Sequence, residues 1–167
     1  GLLKSAIREN DPVIFLEHKL LYMNKGFVPN EEYVIELGKA DVKRKGTDIT
    51  IIAWSNMVQR SLNAAEILAA EGISVEVVDP RTLVTLDKET IMESVRKTEN
   101  VVIVQEAVRR GGVASDISSI IIEEAFDYLN SPVKIVAGLT WPVPFNLNLE
   151  KNLVPQEDDI IAAVKET

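Results

Sequence analysis

From Thr47 to the end of the chain, short apolar runs alternate with longer segments that have the spacing of amphipathic helices. Because these runs are apolar at consecutive positions, both faces of the sheet that they form must be covered, which is typical of parallel strands. Parallel strands joined by right-handed helical crossovers make a doubly wound sheet. The pattern therefore predicts an α/β fold, a three-layer doubly wound domain with a mostly parallel sheet. The predicted strands cover residues 49–54, 75–78, 101–104 and 133–136.

Four helices are predicted between and after these strands. Two of them follow residues with capping side chains, Ser55 and Asp87, and Gly72 stands where a C-terminal cap is expected. The last helix has three consecutive acids in its first turn, where the helix dipole favours negative charge. The predicted helices cover residues 55–70, 87–97 and 113–129 and a last segment from residue 156, with loops over 106–112 and 138–155.

Residues 1–46 have a different character. They contain a short helix, a turn and an apolar run over residues 13–16 that predicts a buried strand. Irregular sequence and a basic connector with some extended structure follow. Because the chain opens on Gly1, within a helix-like sequence, we expect residues 1–46 to be the tail end of a preceding domain plus a linker. Residues 47–167 are expected to form the main domain.

Composition limits the classes of partner. The chain has 18 Lys and Arg residues against 26 Asp and Glu, so its formal charge is -8. Such a charge argues against nucleic-acid or membrane binding, because phosphates and anionic lipids are repelled. It suits a basic protein partner, or it simply aids solubility. The chain has no cysteine, which fits the cytoplasm or another reducing interior.

One loop has the residues of an anion site. Ligands of parallel α/β sheets bind beyond the carboxyl ends of the strands. After the third strand the chain reads Arg109, Arg110, Gly111 and Gly112, just before a helix N-terminus. Arginines and free N–H groups in this position can hold an anion. No G-x-G-x-x-G or Walker pattern is present, so the favoured interpretation is a structural loop, with an anion site as the alternative.

No catalytic machinery is recognisable in the sequence. His18 is the only histidine, and a lone histidine after a strand is more often a solvated or hydrogen-bonded structural residue than a base. A catalytic zinc site takes several protein ligands, which one histidine does not provide. We therefore predict no catalytic, cofactor-binding or metal-binding residue in this chain.

The long predicted helix has more apolar surface than one core requires. Its core stripe is predicted to consist of Ala114, Ile117, Ile121, Ala125 and Tyr128. Further apolar side chains lie outside that stripe or in the proline-rich loop that follows: Ile120, Ile122, Phe126, Trp141 and Phe145. These five form either a contact surface between subunits or a layer covered by the same domain, and both alternatives stay open.

Several segments, in order along the whole chain, together resemble one family. The segments are residues 1–8, 10–22, 37–40, 46–51, 79–87, 105–112, 142–145 and 154–160. Among them are Asp-Pro-Arg-Thr-Leu-Val-Thr-Leu-Asp and Gln-Glu-Ala-Val-Arg-Arg-Gly-Gly. They resemble the C-terminal part of the β subunit of thiamine-diphosphate-dependent pyruvate-type (2-oxo acid) or acetoin dehydrogenases, which ends in a transketolase C-terminal-like domain.

The resemblance implies an oxidoreductase component of a multienzyme complex, built from two α and two β subunits. Thiamine diphosphate and Mg bind between α and β in the complete enzyme, and the acyl product passes to a lipoyl domain. The family's activating glutamate and catalytic histidine have no matching positions here, so the chain alone is expected to be inactive. Its implied partners are the α subunit, a second β subunit and the basic subunit-binding domain of the dihydrolipoyl acyltransferase, which makes a homo-oligomer expected.

The chain departs from the family pattern at a few positions. Gln105 stands where relatives often have His, and Thr85 replaces a proline. Residues 113–117 also differ from the usual Gly-Phe-Gly-Ala-Glu-Ile. Two other readings remain: an independent α/β module that binds an anion or nucleotide, and the C-terminal domain of another transketolase-like enzyme.

Overall fold

One sheet of five strands, with an antiparallel strand at one edge, forms the centre of the molecule. The computed structural model describes all 167 residues. The strands are β1 (Asp41–Arg44), β2 (Ile49–Ala53), β3 (Val75–Asp79), β4 (Val101–Val108) and β5 (Lys134–Gly138). Their order is β1-β3-β2-β4-β5, and only the β1–β3 pair is antiparallel. The predicted mostly parallel sheet is confirmed.

Six α-helices accompany the sheet. They are α1 (Leu2–Arg8), α2 (Asn56–Ala70), α3 (Lys88–Thr98), α4 (Val113–Ala125), α5 (Leu147–Glu150) and α6 (Glu157–Lys165). Short 3-10 turns cover Lys19–Met23 and Phe126–Tyr128. None of the helices has both the length and the apolar character needed to cross a membrane.

The helices cover both faces of the sheet, as predicted. Successive side chains of β2 point to opposite sides. Ile51 therefore packs with α2 and α6 on one face, while Ile52 packs with α3 and α4 on the other. Both side chains are fully buried. The fold is thus a three-layer doubly wound domain.

The helices α2 and α3 begin where the sequence predicts, but only one of the two predicted capping side chains makes a capping hydrogen bond. Asp87 caps α3, since its Oδ1 accepts the Thr90 N–H at 3.2 Å. Ser55 begins α2, but its side chain accepts no capping hydrogen bond and its φ is 56°. The long helix ends at Ala125 and continues as a 3-10 turn.

Three sequence predictions are wrong in detail. No strand forms over residues 13–16, and Ile14 and Leu16 are 87% and 86% exposed. No strand of this sheet lies beside them, and an apolar run without a hydrogen-bonding neighbour does not make a strand. The predicted loop over 106–112 begins later, because β4 continues to Val108 beside β5. Tyr128 is half-exposed rather than in the core stripe, since α4 has ended before it.

The connector before residue 47 is tied to the domain. The Gly38 N–H donates to Thr82 Oγ1 at 3.0 Å, and the Ala40 N–H donates to Asp87 Oδ2 at 2.9 Å. Residues 41–44 then form the antiparallel edge strand. Residue 47 stays the predicted start of the main domain, although β1 lies before this residue and belongs to the sheet.

Asp87 should make the protein sensitive to acid. Burial alone would raise the pKa of Asp87, but hydrogen bonds from the Ala40 N–H and from Thr90 outweigh it and hold this pKa below its ordinary value. A lowered pKa gives stability that is fully present above the unfolded-state pKa, about 3.9, and is lost as pH falls through the folded-state pKa. We expect Asp87→Asn to flatten this acid loss and to lower the free energy of unfolding near neutral pH by about 1–2 kcal/mol.

Urea denaturation at a series of pH values measures both effects of Asp87→Asn. Asp127→Asn, on the exposed 3-10 turn, is the matched control, because it removes a charge of the same kind that makes no such hydrogen bonds. An acid dependence in Asp87→Asn as steep as that of the unmodified chain would contradict the assignment.

Candidate functional site

The carboxyl ends of β2, β3, β4 and β5 lie at the same edge of the sheet, because these strands are parallel. This is the edge at which ligands bind in such folds. Two polar groups of residues lie there, one after β3 and one at the end of β4. Each has its own hydrogen-bond and charge pattern.

The charged side chains of the group after β3 pair with one another. Arg81 Nη2 lies 2.6 Å from Asp41 Oδ2, and Lys43 Nζ lies 2.7 Å from the same atom. The Arg81 N–H also donates to Asp79 Oδ1 at 2.9 Å. Two cations and two carboxylates therefore satisfy one another. This cluster holds β1 and the β3 loop together and leaves no unpaired charge for a ligand.

Burial has the largest influence on both carboxyl groups of this cluster. It raises the pKa of Asp79 above its ordinary value, because the nearby N–H and cations only partly oppose it. At Asp41 the hydrogen bonds and charges of Lys43 and Arg81 outweigh burial, so the pKa of Asp41 is lowered. The two shifts have opposite effects on stability in acid.

The turn over residues 109–112 is held by Gln105, which is fully buried. Its Nε2 donates to the Val108 carbonyl at 2.8 Å, and its Oε1 accepts the Ala114 N–H at 2.9 Å. Gln105 thus connects the end of β4 to the start of α4. One N–H of the helix N-terminus is thereby already used. The anion site stays a prediction that rests on Arg109 and Arg110, both exposed.

The two glycines of this turn are explained by its geometry. A Cβ on Gly112 would lie 2.1 Å from the Gln105 Nε2 and 2.6 Å from the Val108 carbonyl oxygen. Gly111 has a φ of +67°, which favours glycine. The turn therefore requires glycine at position 112 and favours it at position 111, whether or not an anion binds.

His18 reaches the same edge of the sheet from the leading segment. Its Nε2 lies 3.0 Å and 3.3 Å from the two carboxylate oxygens of Glu106, near the end of β4. The prediction that His18 is a hydrogen-bonded structural residue agrees with this contact. The sequence places Glu106 at this edge but does not predict its pairing with His18, since nothing in a sequence pairs residues 88 positions apart.

Four of the five apolar residues outside the core stripe are exposed. Ile122 and Phe126 on or just after α4 are 47% and 68% exposed, and Trp141 and Phe145 in the loop are at least as exposed. Their own domain does not cover them. Ile120 differs, because it is partly buried against the core.

The residues of this chain do not fit thiamine diphosphate and magnesium by themselves. No group of three or more His, Cys, Asp or Glu side chains is placed to hold a metal ion. A cavity of about 300 Å³ is lined by Glu76 and Lys97, which are paired with each other. A second, of about 340 Å³, lies beside β5 and is mainly apolar. Neither offers a setting for a diphosphate with its metal.

Comparison with known proteins shows the family to which this domain belongs. The family model described as "Transketolase, C-terminal domain" matches residues 38–160. This range includes all five strands and both polar groups at the carboxyl edge. The chain belongs to the transketolase C-terminal domain family.

Within this class, the chain is similar to β subunits of pyruvate dehydrogenase. It is 46% identical over 165 residues to pyruvate dehydrogenase E1 component subunit beta of Rickettsia felis, covering 99% of this chain and 51% of the relative. It is 46% identical over 170 residues to the mitochondrial subunit beta-1 of Arabidopsis thaliana, covering 99% and 47%. The predicted resemblance is confirmed. The chain spans about half the length of the curated relatives that it matches.

Solved structures agree on the fold. A chain of "Split gene transketolase, inactive beta4 tetramer" superposes with a TM-score of 0.74 at 31% identity, covering 86% of this chain and 46% of that one. A 2-oxoglutarate:ferredoxin oxidoreductase from Magnetococcus marinus, at 17% identity and a TM-score of 0.52, shares the fold alone.

Proposed function

We propose that this chain is the C-terminal part of the β subunit of a thiamine-diphosphate-dependent 2-oxo acid dehydrogenase, with pyruvate as the favoured substrate. The observation that carries the proposal is 46% identity to a pyruvate dehydrogenase β subunit across 99% of the chain. An acetoin dehydrogenase of the same architecture is the alternative. The complete enzyme would be an oxidoreductase component working in the cytoplasm or another reducing compartment.

In this proposal the chain contributes assembly rather than catalysis. The linings of the two described cavities, which do not suit a diphosphate with its metal, support a role in which cofactor contacts come from other parts of the enzyme. The proposed partners are the α subunit and a second β subunit. The charge of -8 supports docking of the basic subunit-binding domain of the dihydrolipoyl acyltransferase.

Calorimetry of the chain with thiamine diphosphate and magnesium tests whether the cofactor contacts come from other parts of the enzyme. We expect no binding and no turnover of pyruvate, because neither described cavity has a lining that suits the cofactor. Micromolar binding would contradict this. Titration with inorganic phosphate in the same experiment examines Arg109 and Arg110, and a shift in melting temperature with saturable binding would favour the anion-binding module instead.

The subunit contact is proposed to use the exposed apolar surface around Ile122 and Phe126, with Trp141 and Phe145 of the loop after β5 as a further part of the contact. Ile120 is partly buried against the core and is expected to contribute less. Aromatic side chains left bare on a folded domain are typical of interfaces. We therefore expect the chain to self-associate, since the same surface is present on every copy.

Sedimentation velocity with Phe126→Asp tests this surface. We expect the unmodified chain to form dimers or larger species at high concentration and Phe126→Asp to weaken them at least about tenfold, because a buried charge without a partner is costly. Ile67→Asp is the matched control, since Ile67 is 48% exposed but lies on α2, away from this surface. A strictly monomeric unmodified chain would contradict the proposal.

A further inference from the structure

A single polar contact joins residues 1–37 to the rest of the molecule. It is the pair between His18 and Glu106, with a shortest distance of 3.0 Å from Nε2 to Oε2. Every other hydrogen bond of the leading residues stays among themselves, such as Ser5 Oγ to the Ile35 carbonyl and Arg8 to Glu32. The position of the leading segment on the domain therefore depends strongly on this pair.

The imidazole is held from both sides. His18 Nδ1 accepts the Leu20 N–H at 3.3 Å, so the ring proton lies on Nε2 and is donated to the carboxylate of Glu106. The His18 side chain is 20% exposed and that of Glu106 is 37% exposed, so the contact is partly shielded from water. Because His18 also caps the 3-10 turn Lys19–Met23, the ring orientation and the path of the chain are fixed together.

Packing adds little to hold this segment. Ile14, Leu16, Met23 and Phe27 are each at least 86% exposed. Segments with few buried apolar contacts open at low free-energy cost. A partly shielded hydrogen bond to a carboxylate is stronger than one between neutral groups, so it has a large share in keeping such a weakly packed segment attached.

We propose that His18 and Glu106 form a latch that holds residues 9–36 against the carboxyl edge of the sheet. When the latch is broken, the segment detaches while the domain stays folded. This is the edge at which ligands bind in parallel α/β folds, and Glu106 stands three residues before Arg109. The inference stands on contacts within this chain and does not depend on the proposed function.

Limited trypsin digestion of the full chain with Glu106→Ala tests the latch. Trypsin can cut after Lys19, inside the 3-10 turn, and after Lys25, just beyond it. We expect Glu106→Ala to speed cleavage at both sites by at least about fivefold, with the melting temperature of the domain nearly unchanged. Glu66→Ala removes an exposed acid from α2 and should leave the rate unchanged.

Magnetic resonance of the single imidazole gives a second, independent readout. The Nε2–H proton of His18 should be visible because its hydrogen bond to Glu106 protects it from exchange with water. We expect this resonance to disappear in Glu106→Ala and to persist in Glu66→Ala. If Glu106→Ala does not fold, digestion of His18→Ala, which removes the donor, decides the question in the same way. Unchanged digestion rates, or an Nε2–H resonance that survives in Glu106→Ala, would overturn the latch.

Discussion

Gly46→Ala is expected to lower the free energy of unfolding by about 3 kcal/mol or more. A Cβ at this position would lie 2.2 Å from the Glu76 nitrogen and from the Val75 carbonyl carbon, and 2.5 Å from the Val75 oxygen. These are backbone atoms at the start of β3, which cannot rotate away. The chain passes here from β1 to β2, so the strain reaches the edge of the sheet.

Urea denaturation followed by circular dichroism measures this loss. Gly26→Ala is the matched control, because no atom lies within 4 Å of a Cβ built on Gly26 and its φ is not positive. We expect the control to change the free energy of unfolding by less than about 0.5 kcal/mol. If Gly46→Ala unfolds within about 1 kcal/mol of the unmodified chain, β3 can move aside and the close approach is not a constraint.

The parallel sheet could be predicted because its sequence pattern reflects burial on two faces. Ile51 and Ile52 are neighbours in the chain and lie in different cores, and only a strand covered on both sides permits that. The same reasoning failed for residues 13–16, whose apolar run is equally convincing. A strand needs a neighbouring strand, and a sequence pattern does not tell whether that neighbour is present.

The polar contacts at the carboxyl edge could be predicted only in part. The positions of Arg109 to Gly112 follow from where β4 ends, and the choice of glycine agrees with the turn that was expected there. The partners of Gln105 and His18 could not be predicted. Gln105 bonds across a tight turn, and His18 meets Glu106 only because the leading segment folds back over the edge. Neither geometry has a fixed sequence spacing.

An acid in the middle of an apolar strand is the other feature whose meaning only the structure gives. Glu76 lies in β3 and is 1% exposed. Its carboxylate accepts hydrogen bonds from the Ser94 hydroxyl at 2.5 Å and from the Gly46 N–H at 3.3 Å, and it forms an ion pair with Lys97. Glu76 therefore connects α3 and β3 to the segment between β1 and β2. This segment contains Gly46, at which an added methyl group would clash with β3.

Glu76→Ala should lower the free energy of unfolding by about 3 kcal/mol, since the Ser94 hydroxyl and the Gly46 N–H lose their acceptor inside the protein and a cavity is left. Lys97 contributes less to this loss, because its side chain is 46% exposed and can be hydrated again. Lys97→Met, in contrast, leaves a buried carboxylate without its cation, and should therefore cost more than is usual for a surface lysine.

The double variant Glu76→Gln with Lys97→Met separates these contributions in urea denaturation. Glu76→Gln keeps an acceptor for the Ser94 hydroxyl and removes the buried charge, so the loss of Lys97 should cost at least about 1 kcal/mol less in its presence than alone. Glu93→Ala is the control, because Glu93 is an exposed acid that lines the same surface cavity as Glu76 and Lys97. It should leave the free energy of unfolding nearly unchanged. Additive losses in the double variant would mean that Lys97 does not compensate the charge of Glu76. The close contact between Gly46 and β3 would then depend only on hydrogen bonding to the Glu76 carboxylate and on packing.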